Sequence, residues 1–156
     1  MENTLVFIKP DGIKRRLVGE ILGRFEAKGL QIVALKMIQI PRETAERHYA
    51  AHKGKPFYPG LIAYISSSPV IGLVLRGRNA IAVTRSLMGA TFGSKAVPGT
   101  IRGDLAISDG LNLVHGSDSP EAAAQEIALY FRPEELHQQP AADQAWVYDC
   151  SGGSPV

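Results

Sequence analysis

The chain has 156 residues, with 17 basic and 15 acidic side chains, and 45% of it is hydrophobic. That length suits one domain with a proper core, and the near balance of charge argues against a nucleic-acid or membrane-surface protein. Cys150 is the only cysteine, which excludes an intrachain disulfide and a cysteine metal cluster and suits a reducing compartment. Met1-Glu2-Asn3-Thr4 lacks the charge and length of a signal peptide, and no apolar run is long enough to span a bilayer. The expectation is a cytoplasmic single domain over residues 1–150, with no membrane partner and a frayed tail from Ser151 to Val156.

Leu5-Val6-Phe7-Ile8 reads as a buried strand that Lys9-Pro10-Asp11-Gly12 ends in a turn, leaving Lys9 as a charge at the tip of a core strand. Val18, Ile21, Leu22 and Phe25 recur at helical spacing, and Gly29 closes that helix. A second strand begins at Ile32 and runs to about Ile40, where Pro41 stops it. Arg42 to about Lys53 reads as a helix carrying Tyr49. Pro56-Phe57-Tyr58-Pro59-Gly60 is an aromatic turn whose rings either pack a hairpin or offer a flat face for stacking. Val70 to Leu75 is a third strand, and Asn79 to Met88 a helix carrying Arg85. From Gly89 to Leu111 regular patterning fades, which in a compact domain marks a functional loop. It contains Thr91, Lys95, Thr100 and Arg102.

Asn112-Leu113-Val114-His115-Gly116-Ser117-Asp118 then carries the chain along a strand into His115 and out through a turn. Ser119-Pro120-Glu121 has the grammar of a helix start: a capping hydroxyl, a proline suited to the first helical position, and an acid at the positive end of the dipole. His115 therefore lies at a strand end just before a helix N-terminus, where anions bind. A neutral imidazole can attack without first losing a proton, provided a partner holds the N–H of its other nitrogen. Glu126, on the following helix, is placed to do so. A lone histidine at a strand end is more often idle, so the neighbours must decide. The helix runs to about Tyr130, and the remainder is a wrapping segment. In order, the core is strand, helix, strand, strand, helix, strand with added helices. This is an α+β, ferredoxin-like βαββαβ antiparallel sheet.

Lys9, Arg85 and Arg102 each lie near the end of a predicted element, and with Thr91 they can converge on a polyphosphate. Phosphoryl transfer needs little beyond such positioning, a metal ion and a nucleophile. Gly89-Ala90-Thr91-Phe92-Gly93-Ser94-Lys95 is not a P-loop: its spacer is short, Ala96 stands where Ser or Thr belongs, and Pro98 opposes a long helix.

The chain resembles the nucleoside diphosphate kinases. The matching pieces are Phe7 through Gly12, Lys55-Pro56-Phe57-Tyr58-Pro59-Gly60-Leu61, Pro98-Gly99-Thr100-Ile101-Arg102-Gly103-Asp104, and Asn112 through Asp118, within a likeness spanning about Thr4 to Tyr148. The resemblance implies that His115 accepts the γ-phosphoryl group of a nucleoside triphosphate and passes it to a nucleoside diphosphate. Glu126 orients the imidazole, with Ser117 as its hydroxyl neighbour and Tyr49 near the phosphate pocket. Lys9, Arg85, Thr91 and Arg102 bind phosphates, Asn112 and Lys9 meet the sugar hydroxyls, and the base stacks on Phe57. Mg2+ is the implied cofactor, held chiefly by the nucleotide phosphates with Asp118 reaching it through water, so no set of protein metal ligands is expected. A phosphorylated imidazole can serve donor and acceptor in turn, which gives ping-pong kinetics.

The chain departs from that family at Phe92-Gly93, where Asn-Pro is usual, at Asp109, where Val or Ile faces the base, and at Leu111, in place of a common Arg. Gly93 is expected to loosen its loop. An inward Asp109 carboxylate would accept hydrogen bonds from guanine and favour it mildly. An interaction protein that kept the fold but lost catalysis would lack His115, Lys9 or Arg102, and all three are present. A nucleic-acid regulator would want a basic face, and only Lys14-Arg15-Arg16 is tightly basic. The family forms hexamers, or tetramers in some bacteria. Pro98 matches the proline of a loop supporting the hexamer, which is the expected homo-oligomer.

Overall fold

The computed structural model describes residues 1–153; the last three residues of the expected tail lie outside the described residues. Its sheet has four strands: β1 (Glu2–Ile8), β2 (Gln31–Ile38), β3 (Val70–Gly77) and β4 (Val114–Gly116). Their order is β2-β3-β1-β4, and each neighbouring pair is antiparallel. Between β1 and β2 run α1 (Pro10–Lys14) and α2 (Val18–Ala27); between β2 and β3 run α3 (Arg42–His48) and α4 (Tyr58–Ile65). The helices α5 (Ala80–Met88) and α6 (Ile101–Leu105) precede β4, and α7 (Pro120–Tyr130) and α8 (Gln144–Val147) follow it. The ferredoxin-like arrangement expected from the sequence is therefore present.

Helices cover both faces of the sheet, which explains why β1 reads as a continuous apolar run rather than an alternating one. On β1, Val6 and Ile8 pack with Ile21, Phe25, Met88, Ile101 and Leu113, while Leu5 and Phe7 pack with Ala45, Ile62, Ile65, Tyr130 and Phe131. Each apolar set fills one side of the sheet. No described helix is long and apolar enough to cross a membrane.

The boundaries differ from expectation where local chemistry intervenes. Lys9 through Gly12 is not a simple turn: Pro10 opens the five-residue helix α1 with Asp11 in its first turn. The helix expected to reach Lys53 stops at His48, and a single 3-10 turn over Ala50–His52 follows. The capping expectation for α7 holds, because the Ser119 hydroxyl accepts from the Ala122 N–H at 3.1 Å. In the irregular stretch, Gly93 is buried rather than loose. A Cβ there would stand 2.7 Å from the Ser108 carbonyl and as close to that of Ala106, so glycine permits a tight loop crossing. Phe92 is half-exposed, with Lys95 Nζ 5.3 Å from its ring centre.

Candidate functional site

The register of β4 against β1 builds the site. His115 pairs with Phe7 and Val114 with Ile8, and just past that pairing the Lys9 N–H donates to the Leu113 carbonyl at 2.8 Å. Leu113 is fully buried and adopts φ 69°, a left-handed conformation that costs a branched residue on the order of 1–3 kcal/mol. The Asp11 carboxylate holds it there by accepting the Leu113 N–H at 3.0 Å, and Tyr64 donates to the other oxygen at 2.6 Å. One short motif at the end of β1 thus clamps the backbone two residues before His115.

His115 lies on the α3 and α7 side of the sheet, its ring 5.7 Å from Phe7 and 5.8 Å from Tyr49 between centroids. Its Nε2 is 3.3 Å from both Glu126 oxygens, and the Ser117 hydroxyl donates to Oε2 at 2.5 Å. Burial pushes the Glu126 carboxyl up, but the hydrogen bond and charge of His115, with help from His48 and Ser117, outweigh it and hold the group below its ordinary value. A carboxylate can only accept, so it favours the tautomer of His115 with the proton on Nε2 and the lone pair on Nδ1.

His48 completes this cluster, and no sequence motif pointed to it. Its side chain is 1% exposed, and its Nε2 stands 3.1 Å from His115 Nε2 and 3.4 Å from Glu126 Oε1. Burial, then the nearby His115, depresses its pKa to about 3, so the ring is neutral at physiological pH. The available signal was its place in the last turn of the helix that leads into Tyr49, on a face turned to the core. Tyr49 is buried with its hydroxyl unpartnered among the described residues, and burial pushes its phenol up.

The cations assemble on the other flank. Lys9 Nζ donates to Asn112 Oδ1 at 2.6 Å, and Asn112 Nδ2 donates to the Thr91 carbonyl at 2.6 Å. Burial, followed by the charge of Arg102, lowers the Lys9 pKa to about 8, against the pull of Asp11. Arg102 directs Nε to the Asn112 carbonyl, Nη2 to that of Val114, and Nη1 to those of Gly89 and Ala90. Four of the five guanidinium N–H groups are thereby engaged, leaving one on Nη2 for a ligand. Burial, then the charge of Arg85, lowers its pKa to about 10, so it remains a cation at neutral pH. Arg102 was expected to bind phosphate; these bonds also tie it to the backbone of the fold. Arg85 is exposed and donates to the Gly116 carbonyl at 3.3 Å. Arg102 lies within electrostatic reach of both Lys9 and Arg85, and three such positive groups are suited to a polyanion.

Two expected residues stand apart from this core. Thr91 joins through its carbonyl, and its exposed side chain is not drawn into the cluster. Phe57 is 54% exposed and reaches the centre only through a run of rings. It lies 5.5 Å from His52, which lies 6.3 Å from Tyr49. Asp109 is exposed, and Ser94 donates to its Oδ1 at 2.6 Å.

The family model described as nucleoside diphosphate kinase matches residues 2–136. A nucleoside diphosphate kinase of Archaeoglobus fulgidus is 53% identical over 149 residues, covering 96% of this chain and 99% of that protein. One from Thermus thermophilus is 58% identical over 136 residues, covering 87% of this chain and 99% of that protein. Among solved structures, a halophilic nucleoside diphosphate kinase from Halobacterium salinarum in complex with CDP superposes with TM-score 0.92 at 47% identity, covering 95% of this chain and 99% of that one.

Proposed function

The chain belongs to the nucleoside diphosphate kinase family, and from that membership we infer how its own residues move a phosphoryl group. It transfers the γ-phosphoryl group of a nucleoside triphosphate to a nucleoside diphosphate in two half-reactions through a phosphohistidine at His115. The observation that carries this reading is the contact of His115 Nε2 with the Glu126 carboxylate. With the proton on Nε2, Nδ1 holds the lone pair and attacks the γ-phosphorus. The N–P bond forms as the bond from that phosphorus to the β,γ-bridging oxygen breaks, and the nucleoside diphosphate leaves. The ring gains positive charge as the N–P bond forms, and Glu126 stabilises it. A second nucleoside diphosphate then reverses the step with its own terminal oxygen.

Lys9, Arg85 and the remaining Nη2 donor of Arg102 are proposed to hold the phosphate oxygens, with the Thr91 hydroxyl at the rim. Such groups act by stabilising charge that develops in transfer. Asn112, already joined to Lys9, is proposed to meet the sugar hydroxyls. Phe57 offers its exposed face to the base, and a stacking contact accepts every base because each has a π-face. Ser117 positions Glu126, and the Tyr49 ring packs beside the imidazole, 5.8 Å away between centroids, with its phenol neutral.

Mg2+ is the proposed cofactor. It prefers oxygen ligands and keeps several waters, which fits the exposed Asp118 carboxylate and the nucleotide phosphates. When bound with the nucleotide it neutralises phosphate charge. We place the protein in the cytoplasm as a homo-hexamer. The exposed Val97 and Ile107 flanking the Pro98 loop, and Trp146 at 93% exposure, support burial against other copies. Sedimentation equilibrium distinguishes this assembly from a tetramer.

The test of the chemistry is labelling with γ-labelled ATP and Mg2+. The parent is expected to take up label in an acid-labile, base-stable bond, and His115→Ala to take up none. Full turnover in His115→Ala would refute the mechanism.

A further inference from the structure

The described residues contain one cluster of three side chains whose ligating atoms all lie within 4.8 Å of one another: His48, His115 and Glu126. The mechanism above uses two of them and leaves His48 without a task. The three separations are 3.1 Å between the Nε2 atoms, 3.3 Å from His115 Nε2 to Glu126 Oε1, and 3.4 Å from His48 Nε2 to the same oxygen. A tetrahedral zinc ion with bonds of about 2.0–2.1 Å has ligand atoms about 3.3–3.4 Å apart, so the three donors outline one face of such a site. Hydrogen bonds can have similar lengths, but these two rings do not meet head-on. Imidazoles joined head-on through an N–H···N bond of this length would hold their centroids about 5.4 Å apart. Rings aimed at one ion from nitrogens 3.1 Å apart would hold them about 4.8 Å apart, and about 5.2 Å in a regular tetrahedron. The observed separation is 4.6 Å.

We propose that His48 Nε2, His115 Nε2 and Glu126 Oε1 form an inhibitory binding site for a divalent cation of the zinc class, distinct from the nucleotide-bound Mg2+. The donor chemistry makes that separation, since two imidazole nitrogens suit zinc or cobalt and do not suit a hard, oxygen-seeking ion. Ser117 holds Oε2 and leaves Oε1 to the cation, the kind of outer contact that orients a ligating carboxylate. His48 closes the rear of the site at 1% exposure, and solvent reaches the donors from the side of His115 and Glu126, which are 20% and 16% exposed. A cation on His48 Nε2 leaves that ring's proton on Nδ1, which is buried with no partner among the described residues.

Inhibition follows from the tautomer. A cation on His115 Nε2 takes that lone pair and leaves the ring proton on Nδ1, the atom that must attack phosphorus. No electrons are transferred, and the proton only changes nitrogen. Zinc binding rests on the geometry alone, while its effect on phosphorylation also rests on the proposed role of His115.

The experiment uses metal-free protein without nucleotide, in a Cys150→Ser background that removes the exposed thiol as a competing ligand. Equilibrium dialysis is expected to give one zinc ion per chain, and Co2+ in its place the strong visible bands of tetrahedral cobalt. His48→Gln and Glu126→Gln are each expected to weaken binding by about tenfold or more. Zinc at one equivalent should block labelling by ATP and Mg2+, and a chelator should restore it. Failure of the parent to bind zinc, a weak octahedral cobalt spectrum, a folded His48→Gln that binds as tightly as the parent, or undiminished labelling of the zinc-loaded protein would each overturn the proposal. The cobalt spectrum of the parent needs no variant and decides the question even if His48→Gln does not fold. A parent that takes up label without zinc but binds none sinks the zinc site and leaves the phosphotransfer reading intact; one that binds zinc as described but is never labelled does the reverse.

Discussion

Raising the pH through about 8 is expected to weaken nucleotide capture by removing the charge on Lys9. An ordinary lysine keeps its proton to about 10.4, but this ammonium is buried beside the Arg102 cation, and Asp11 only partly compensates. A drop from 10.5 to about 8 means that keeping Lys9 charged in the free protein costs on the order of 3 kcal/mol. A bound polyphosphate offsets that cost, which ties the charge to substrate. The sign for stability is the reverse of a lysine that gains an anionic partner. Below pH 8 the group is charged in both the folded and unfolded states and the burial penalty is fully present. Between about 8 and 10.5 the folded state loses its proton first, so the penalty fades and the Lys9 contribution to stability rises with pH.

The assay is the pH profile of kcat/KM, which reports groups of the free enzyme. Adenine and cytosine nucleotides are the substrates of choice, because their bases do not titrate on the alkaline side. One unit above its pKa about one-tenth of Lys9 remains charged, so kcat/KM at pH 9 should be roughly tenfold below its plateau. Lys9→Arg keeps the charge and should lose the alkaline limb even if its plateau is lower. A parent profile flat beyond pH 9, or an identical limb in Lys9→Arg, would refute this assignment.

Arg102→Ala should cut transfer by about 10²–10³-fold. Because it also strips donors from the carbonyls of Gly89, Asn112 and Val114, it should destabilise the fold by about 3 kcal/mol or more in urea melts; parent-like melting would show that those bonds are not anchors. Phe57→Ala should raise KM about fivefold with kcat and melting nearly unchanged, since the ring is 54% exposed and contributes stacking rather than core packing. Asp109→Val should leave the GTP:CTP ratio of kcat/KM unchanged, because Ser94 engages the carboxylate; a ratio that moves toward CTP would restore Asp109 as a reader of guanine.

The elements most legible in the sequence were those with a single local cause. The apolar run of β1, the helical spacing ending at Gly29, and the Ser119-Pro120-Glu121 start of α7 each appeared where a short-range rule placed them. The same holds for His115 and Glu126, eleven positions apart across one turn and one helix. His48 was not legible, because nothing near it in sequence announces a partner. Its neighbours are set by the packing of α3 against α7 and by the register that brings His115 opposite Phe7. Gly93 was misread for a related reason. A glycine in a loop suggests freedom when its neighbours are unknown, yet the carbonyls of Ala106 and Ser108 leave no room for a side chain there.

Lys9-Pro10-Asp11-Gly12 and Asn112-Leu113-Val114-His115 both stood out as motifs, about a hundred residues apart, with no sequence rule to join them. In the fold they form one device. The Lys9 N–H and the Asp11 carboxylate hold the carbonyl and N–H of Leu113, and Lys9 Nζ holds the side chain of Asn112. Leu113 accepts a left-handed backbone that costs energy in isolation, and that kink turns Asn112 toward the cations while β4 carries His115 to the opposite side of the sheet from Leu113. The strain falls between the residue proposed to meet the sugar and the one proposed to meet the phosphorus. A straight strand would alternate those side chains by a fixed step; a single inverted residue, clamped from β1, is what lets both serve one nucleotide.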